Sequence, residues 1–102
     1  MLDTRSPFRR FANVVSADEE SAAAKGRAEA LAGALKRVVG KDVEIMGPAP
    51  APLARLKNHY RWHVEVRAPC DAPLSAYMRQ SLAFLNSAER AGLTVDIDAF
   101  NT

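Results

Sequence analysis

Alternating apolar and polar positions along the chain predict four β-strands. Apolar residues recur at every second position in each of them, which is the period of a strand with one buried face. The second segment is short and is predicted to end at Gly47-Pro48. The predicted strands are Phe8 to Val15, the residues around Val43 and Ile45, Tyr60 to Ala68, and Leu93 to Asp98.

Two helices are predicted between these strands. The first carries an apolar stripe at steps of three and four residues, made by Ala24, Ala28, Leu31, Leu35 and Val38. Ser16 followed by Glu19 is the pattern of a capping box before that helix, and Gly40 is predicted to take the left-handed conformation that ends it. The second helix is predicted from Asp71 or Ala72 to Gly92, with a buried face formed by Leu74, Tyr77 or Met78, Leu82 and Leu85.

The predicted order β-α-β-β-α-β indicates an α+β, ferredoxin-like split fold. With right-handed crossovers, two helices cover one face of a four-stranded antiparallel sheet in the order 4-1-3-2. The other sheet face is then open, and Asp96 and Asp98 are expected to balance Arg61 or Arg67 across it. The length suits one core, so residues 1–102 are interpreted as a single domain.

Composition narrows the classes of function. No apolar run approaches the roughly 20 residues that span a bilayer, and the first residues lack the pattern of a signal peptide. Cys70 is the only cysteine, which excludes an internal disulfide and a cysteine-based zinc site. We therefore expect a cytoplasmic protein without membrane contact. The net charge of +2 is too small to indicate nucleic acid by itself, so a basic surface requires local clustering.

Local clustering occurs where three prolines, at positions 48, 50 and 52, lead into basic and aromatic residues. Cations that contact phosphates, with Tyr60 or Trp62 stacking on a base, would together form a DNA-binding surface. The alternative is a solvated loop beside an open sheet face, with the aromatic rings in the core. Strand alternation favours aromatic rings that point into the core. The cations would then contact the DNA backbone without sequence preference. The candidate DNA-binding residues are Arg55, Lys57, His59, Arg61, Trp62 and Arg67.

The remaining features predict no catalysis, metal or cofactor. The prolines form either a rigid connection that prevents edge pairing or an apolar ridge that docks on another domain. His59 and His63 would lie about 13 Å apart on one strand, too far to share an ion. Paired carboxylates at Asp96 and Asp98 are better explained by charge balance, and Cys70 has no histidine placed to activate it. No phosphate loop, dinucleotide fingerprint or serine elbow is present.

Three segments carry a resemblance to a known family: Gly47–Leu56, Tyr60–Val66 and the closing Val95–Asp98. Together they resemble the C-terminal domain of PriA, the primosomal protein N′ family of bacterial replication-restart DNA helicases. The resemblance implies a fold similar to a protein of the small ribosomal subunit, and places Arg55, Arg61 and Trp62 on the family's motif. ATP, magnesium and zinc are implied only for other domains of such a helicase.

The function implied is a DNA-binding and scaffolding module without catalysis of its own. Its implied partners are forked or single-stranded DNA, the remaining helicase domains, single-stranded DNA-binding protein and primosome proteins. Asp71 and Ser75 depart from the family where the acidic tail of single-stranded DNA-binding protein would bind, since an aspartate repels that tail, so this site is not carried over. Ala99 stands where the family usually has proline. The alternatives are a purely structural domain that docks onto the helicase lobes or partner proteins, and a stand-alone RNA-binding module of ribosomal type.

Overall fold

A computed structural model describes residues 10–97 and confirms the predicted fold class. Four antiparallel strands form one sheet in the order β2-β3-β1-β4, as predicted. Phe8 and Asp98, at the outer ends of the first and last predicted strands, lie outside the described residues. The elements are β1 (Arg10–Asp18), α1 (Ser21–Val38), β2 (Glu44–Leu56), β3 (His59–Ala68), α2 (Leu74–Leu82), α3 (Ser87–Ala91) and β4 (Leu93–Ile97).

The core lies between the sheet and α1 with α2. Val14 is registered opposite Val64, and these side chains are 1% and 0% exposed. Leu31 and Leu35 on the predicted stripe of α1 are both fully buried against this surface. Removing these apolar groups from water is the main term that stabilises the fold. Within residues 10–97, the helices lack the combination of length and hydropathy needed to cross a bilayer.

The predicted start and end of the first helix are wrong. Ser16 is a buried residue of β1 rather than a helix cap, because its hydroxyl accepts a hydrogen bond from Nη1 of Arg27 at 3.1 Å. The strand therefore continues to Asp18, and α1 begins at Ser21. At the other end the closing residue is Val39, in extended conformation, and Gly40 does not adopt a positive φ.

The predicted second helix is two helices. The chain leaves α2 after Leu82 and begins α3 at Ser87. Asn86 and Glu89 form a capping box, each side chain accepting the other's backbone N–H at 2.8 Å. The pattern Asn86-x-x-Glu89 was available in the sequence. The break turns Leu85 into the core and leaves Phe84 58% exposed.

The predicted end of the second strand at Gly47-Pro48 is also wrong, because β2 continues through all three prolines to Leu56. An edge strand tolerates proline, since one side of it has no pairing strand to receive an N–H. Gly47 opens the irregular part with φ +108°, and a Cβ there would lie 2.7 Å from the carbonyl oxygen of His63. Only glycine fits this position without a backbone shift.

Candidate nucleic-acid interface

The end of the β2–β3 hairpin, residues 51–61, lies beyond the pair Pro50–Trp62 and extends past the last β1 pair at Asp18–Tyr60; we call it the basic arm. Residues 52–59 are all exposed, and no aspartate or glutamate occurs between positions 45 and 64. The strands meet in a two-residue turn at Lys57 and Asn58, with φ of 52° and 65°. Positive φ at both turn residues matches the right-handed twist of a hairpin. The arm therefore presents positive charge on a defined backbone.

Part of the arm is a wide bulge that Arg61 supports. Pro50 is registered opposite Trp62 and Arg55 opposite Tyr60, so the residues from 51 to 54 face Arg61 alone. Nη1 of Arg61 donates a hydrogen bond to the carbonyl oxygen of Leu53 at 3.0 Å, across the bulge. This bond gives the half-buried Arg61 a positioning role in addition to its charge.

Arg55, Lys57 and His59 occupy the end of the arm. The Arg55 guanidinium lies over the ring of Tyr60, 5.0 Å from its centre, which covers that ring face while leaving the arginine exposed. Nδ1 of His59 lies 3.0 Å from the carbonyl oxygen of Lys57. Arg55 points to the helix side of the sheet with Tyr60, whereas His59 and Arg61 alternate to the other side. Cations therefore flank both faces of the arm.

Trp62 lies at the base of the arm and belongs to the body of the domain. Its ring packs partly against the core, which confirms the inward orientation that alternation predicts. Its Nε1 donates to Oγ of Ser21 at 3.3 Å, and Nζ of Lys25 lies 5.4 Å from the ring centre. These contacts with α1 hold the indole, so base stacking would require Lys25 to move.

Arg67 lies apart from the arm. It is six residues beyond Arg61 on β3, which corresponds to about 20 Å along a strand. Its Nη1 is 3.9 Å from Oε1 of Glu44 on β2, rather than next to Asp96 as expected. The Glu44 carboxylate reduces the positive potential there. The structure therefore gathers four of the six predicted residues on the arm, with Trp62 at its base and Arg67 separate.

An acidic border limits the basic surface. Asp18 is registered opposite Tyr60, and Glu19 and Glu20 follow it as exposed residues. The backbone N–H of Glu20 and then the Arg27 guanidinium lower the pKa of the Asp18 carboxyl, with a smaller contribution from the charge of His59. Nη2 of Arg27 is 2.9 Å from Oδ2 of Asp18. Because Tyr60 is also registered opposite Arg55, this border lies beside the end of the arm on its β1 side, so the turn and the β2 side of the arm are the best placed for an anion.

Sequence reasoning missed two features of this region. Leu53 and Leu56 are 51% and 44% exposed among the cations of the arm. Their position depends on the continuation of β2, which the prolines concealed. Lys25 over Trp62 is a contact between α1 and β3 that has no signal in the sequence.

The cofactors that the resemblance implies for a parent helicase do not fit these residues. The chain has no phosphate-binding loop for ATP and magnesium. Across residues 10–97, histidine, cysteine and carboxylate side chains form no group of three that could hold a zinc ion. Cys70 is an exposed thiol.

Comparison with known proteins identifies the family. Residues 5–100 match the model of the primosomal protein N C-terminal domain. The chain is 32% identical over 93 residues to the replication restart protein PriA of Bacillus subtilis, covering 90% of the chain but 12% of that protein. It is also 42% identical over 41 residues to the replication restart protein PriA of Synechocystis, covering 40% of the chain and 5% of the relative.

These matches agree with the resemblance carried by the proline segment and the strand that follows it. They concern a C-terminal domain and not a catalytic one, so the chain by itself is not an enzyme. Nearly the whole sequence takes part in the family match. The chain belongs to the primosomal protein N C-terminal domain family.

Proposed function

We propose that this domain contacts DNA phosphates through the basic arm, as a module of a PriA-like helicase that acts in replication restart in the cytoplasm. The observation that carries the proposal is the arm itself, an exposed hairpin end with cations on both faces and no carboxylate in its sequence. Membership of the family and the names of the two relatives support the context of replication restart. Forked or single-stranded DNA is the proposed ligand.

The few exposed cations of the arm predict weak DNA binding without sequence preference. Arg55 and Lys57 are exposed cations, and His59 adds charge only when it is protonated. Such groups contact phosphates and do not distinguish one base from another. Each phosphate neutralised on duplex DNA contributes about −0.9 to the slope of log K against log salt concentration. Loss of two cations should therefore make the slope shallower by roughly 1.8.

The test is fluorescence anisotropy of this chain with labelled forked DNA across a range of salt concentrations. The variant Arg55→Ala/Lys57→Ala should bind at least tenfold more weakly at low salt, with the shallower slope. Lys36→Ala/Lys41→Ala is the matched control, because it removes two exposed lysines at the opposite end of α1. An equal loss in both variants, or no binding by the wild-type chain at low salt, would contradict the proposal. Duplex RNA as competitor distinguishes an RNA-binding module, which would prefer it.

A second candidate function is docking onto the remaining domains of a longer protein, and Phe84 favours it. The ring is 58% exposed and lies between depressions of about 320 and 440 Å³ on the helix side of the domain. The Arg37 guanidinium is 5.9 Å from the ring centre. Because the chain spans 12% of its Bacillus subtilis relative, other domains are available in such a protein to cover this surface.

Docking is tested by titrating the chain against the separately expressed remainder of its parent protein. Phe84→Ser should weaken the association by about tenfold if the ring is buried there. Leu56→Ser serves as control, since that leucine lies on the arm. Unchanged association of Phe84→Ser would exclude this surface as the docking site.

A further inference from the structure

We infer that the end of the basic arm binds the open end of a DNA duplex, with Leu53 and Leu56 packed on the terminal base pair. The inference rests on the proposed DNA contact and specifies which DNA feature the arm selects. A terminal base pair is found at a duplex end and at a junction between double and single strands.

The first observation is the position of the exposed apolar side chains. Among residues 10–97, the large hydrophobic side chains that remain exposed are Leu53, Leu56 and Phe84. Leu53 and Leu56 are close in sequence at the end of a hairpin, while Phe84 belongs to the helix side of the body. A pair of leucines on a projecting hairpin indicates that a partner covers them.

The second observation is that the backbone around these partly exposed leucines is fixed in place. The hydrogen bond from Arg61 to the carbonyl oxygen of Leu53 holds the bulge at one side. The positive φ angles of Lys57 and Asn58 set the turn that follows Leu56. Pro52 restricts the backbone immediately before Leu53. A backbone fixed in this way loses little conformational freedom on binding.

The third observation is the charge that surrounds the leucines. Arg55 lies between them in sequence and Lys57 follows them, and no acidic residue occurs in the arm. The matching surface therefore combines an apolar patch with anionic groups beside it. The end of a duplex has this character, because the flat face of the last base pair lies between two phosphate strands. Leucine is among the side chains that proteins insert against unstacked bases.

The test uses the full chain and two labelled DNAs of equal length and charge. One is a hairpin duplex whose open end continues as a single strand, with 2-aminopurine in the last base pair. The other is a dumbbell duplex closed by loops at both ends. We expect about tenfold tighter binding to the open duplex, and a change in 2-aminopurine fluorescence on binding.

Leu53→Ser/Leu56→Ser should abolish this preference while leaving the salt slope unchanged. Phe84→Ser is the matched control and should retain the preference. Arg55→Ala/Lys57→Ala should weaken binding to both DNAs alike and make the salt slope shallower.

Binding to both DNAs with equal affinity by the wild-type chain would overturn the inference but leave the proposed DNA contact standing. That result would instead assign the leucines to a protein partner. Retention of the preference in Leu53→Ser/Leu56→Ser would also overturn it. A wild-type chain that binds neither DNA at low salt would overturn the proposed function itself.

Discussion

The body of the domain and the basic arm share β3, yet different forces shape them. In the body, β1 and β3 pair without interruption from Arg10 opposite Ala68 to Asp18 opposite Tyr60. Between β2 and β3 the register shifts twice, once before the arm and once within it, and residues 52–59 are exposed. Burial in the core explains why the body has apolar residues where it does. It explains almost none of the residues at the end of the arm, because they are exposed.

This difference indicates where function resides. A core position is constrained by volume and apolar character, and many sequences satisfy such constraints. The arm and its junction with the body carry three prolines, a glycine with positive φ and a bulge supported by Arg61, which the core does not require. A projecting hairpin shaped by such features is typical of a binding element on a rigid scaffold. The comparison therefore predicts that stability and DNA binding can be changed separately.

The largest expected effect is in the body. Leu31→Ala removes a fully buried side chain and should lower the free energy of unfolding by about 2–5 kcal/mol. Leu56→Ala makes the same chemical change on the arm, where the side chain is 44% exposed, and should change stability by about 0.5 kcal/mol or less. Urea unfolding followed by circular dichroism measures both. Similar losses in the two variants would show that the arm is part of the cooperative core.

The next effect concerns the junction of arm and body. Gly47→Ala places a Cβ at positive φ and 2.7 Å from the carbonyl oxygen of His63, so it should destabilise the protein by about 1–3 kcal/mol. Hydrogen exchange should show the protection lost chiefly in β2. Gly33→Ala is the matched control, because an added Cβ meets nothing within 4 Å on the helix. That control should stabilise the protein by roughly 0.5–1 kcal/mol. A Gly47→Ala variant as stable as wild type would contradict the assigned backbone geometry.

The smallest effect is electrostatic and lies on the border between the two regions. The Glu20 N–H and the Arg27 guanidinium hold the pKa of the Asp18 carboxyl below its ordinary value of 3.8. A carboxyl with a lowered folded-state pKa stabilises the fold above its unfolded pKa of about 3.9, and the contribution is lost as pH falls through the folded value. Asp18→Asn should therefore melt below wild type at pH 7, with a difference that shrinks toward zero in acid. Melting curves from pH 7 to pH 2.5 test this, and a pH-independent difference would show that ionisation is not the cause.

The body was largely predictable from the sequence. Two local patterns predict burial directly: the alternation that includes Val64 and Val66, and the helical stripe that includes Leu31 and Leu35. All four residues are buried. Strand order followed from the sequence of elements and the handedness of crossovers. The failures in the body come from long-range contacts. Ser16 has the sequence pattern of a helix cap, but its hydroxyl accepts a hydrogen bond from Arg27, a residue of α1.

The arm was predictable in its chemistry but not in its shape. The basic residues and their likeness to a family are visible in the sequence, and the structure gathers Arg55, Lys57, His59 and Arg61 on one hairpin. The prolines indicated the end of a strand because they remove backbone donors. An edge strand does not need all of those donors, and only the sheet order shows that β2 is at an edge. The exposed leucines could not be placed before this was known.

The central position of β1 has a consequence for how the chain folds. This strand is made early, yet it pairs with β3 on one side and with β4 on the other. Its pairing of Ala12 with Ile97 joins opposite ends of the described chain. Contacts between such distant residues lose entropy in loop closure before they contribute stability, so they slow folding. During synthesis, the edge of β1 that pairs with β4 therefore has no partner until Leu93–Ile97 has been made.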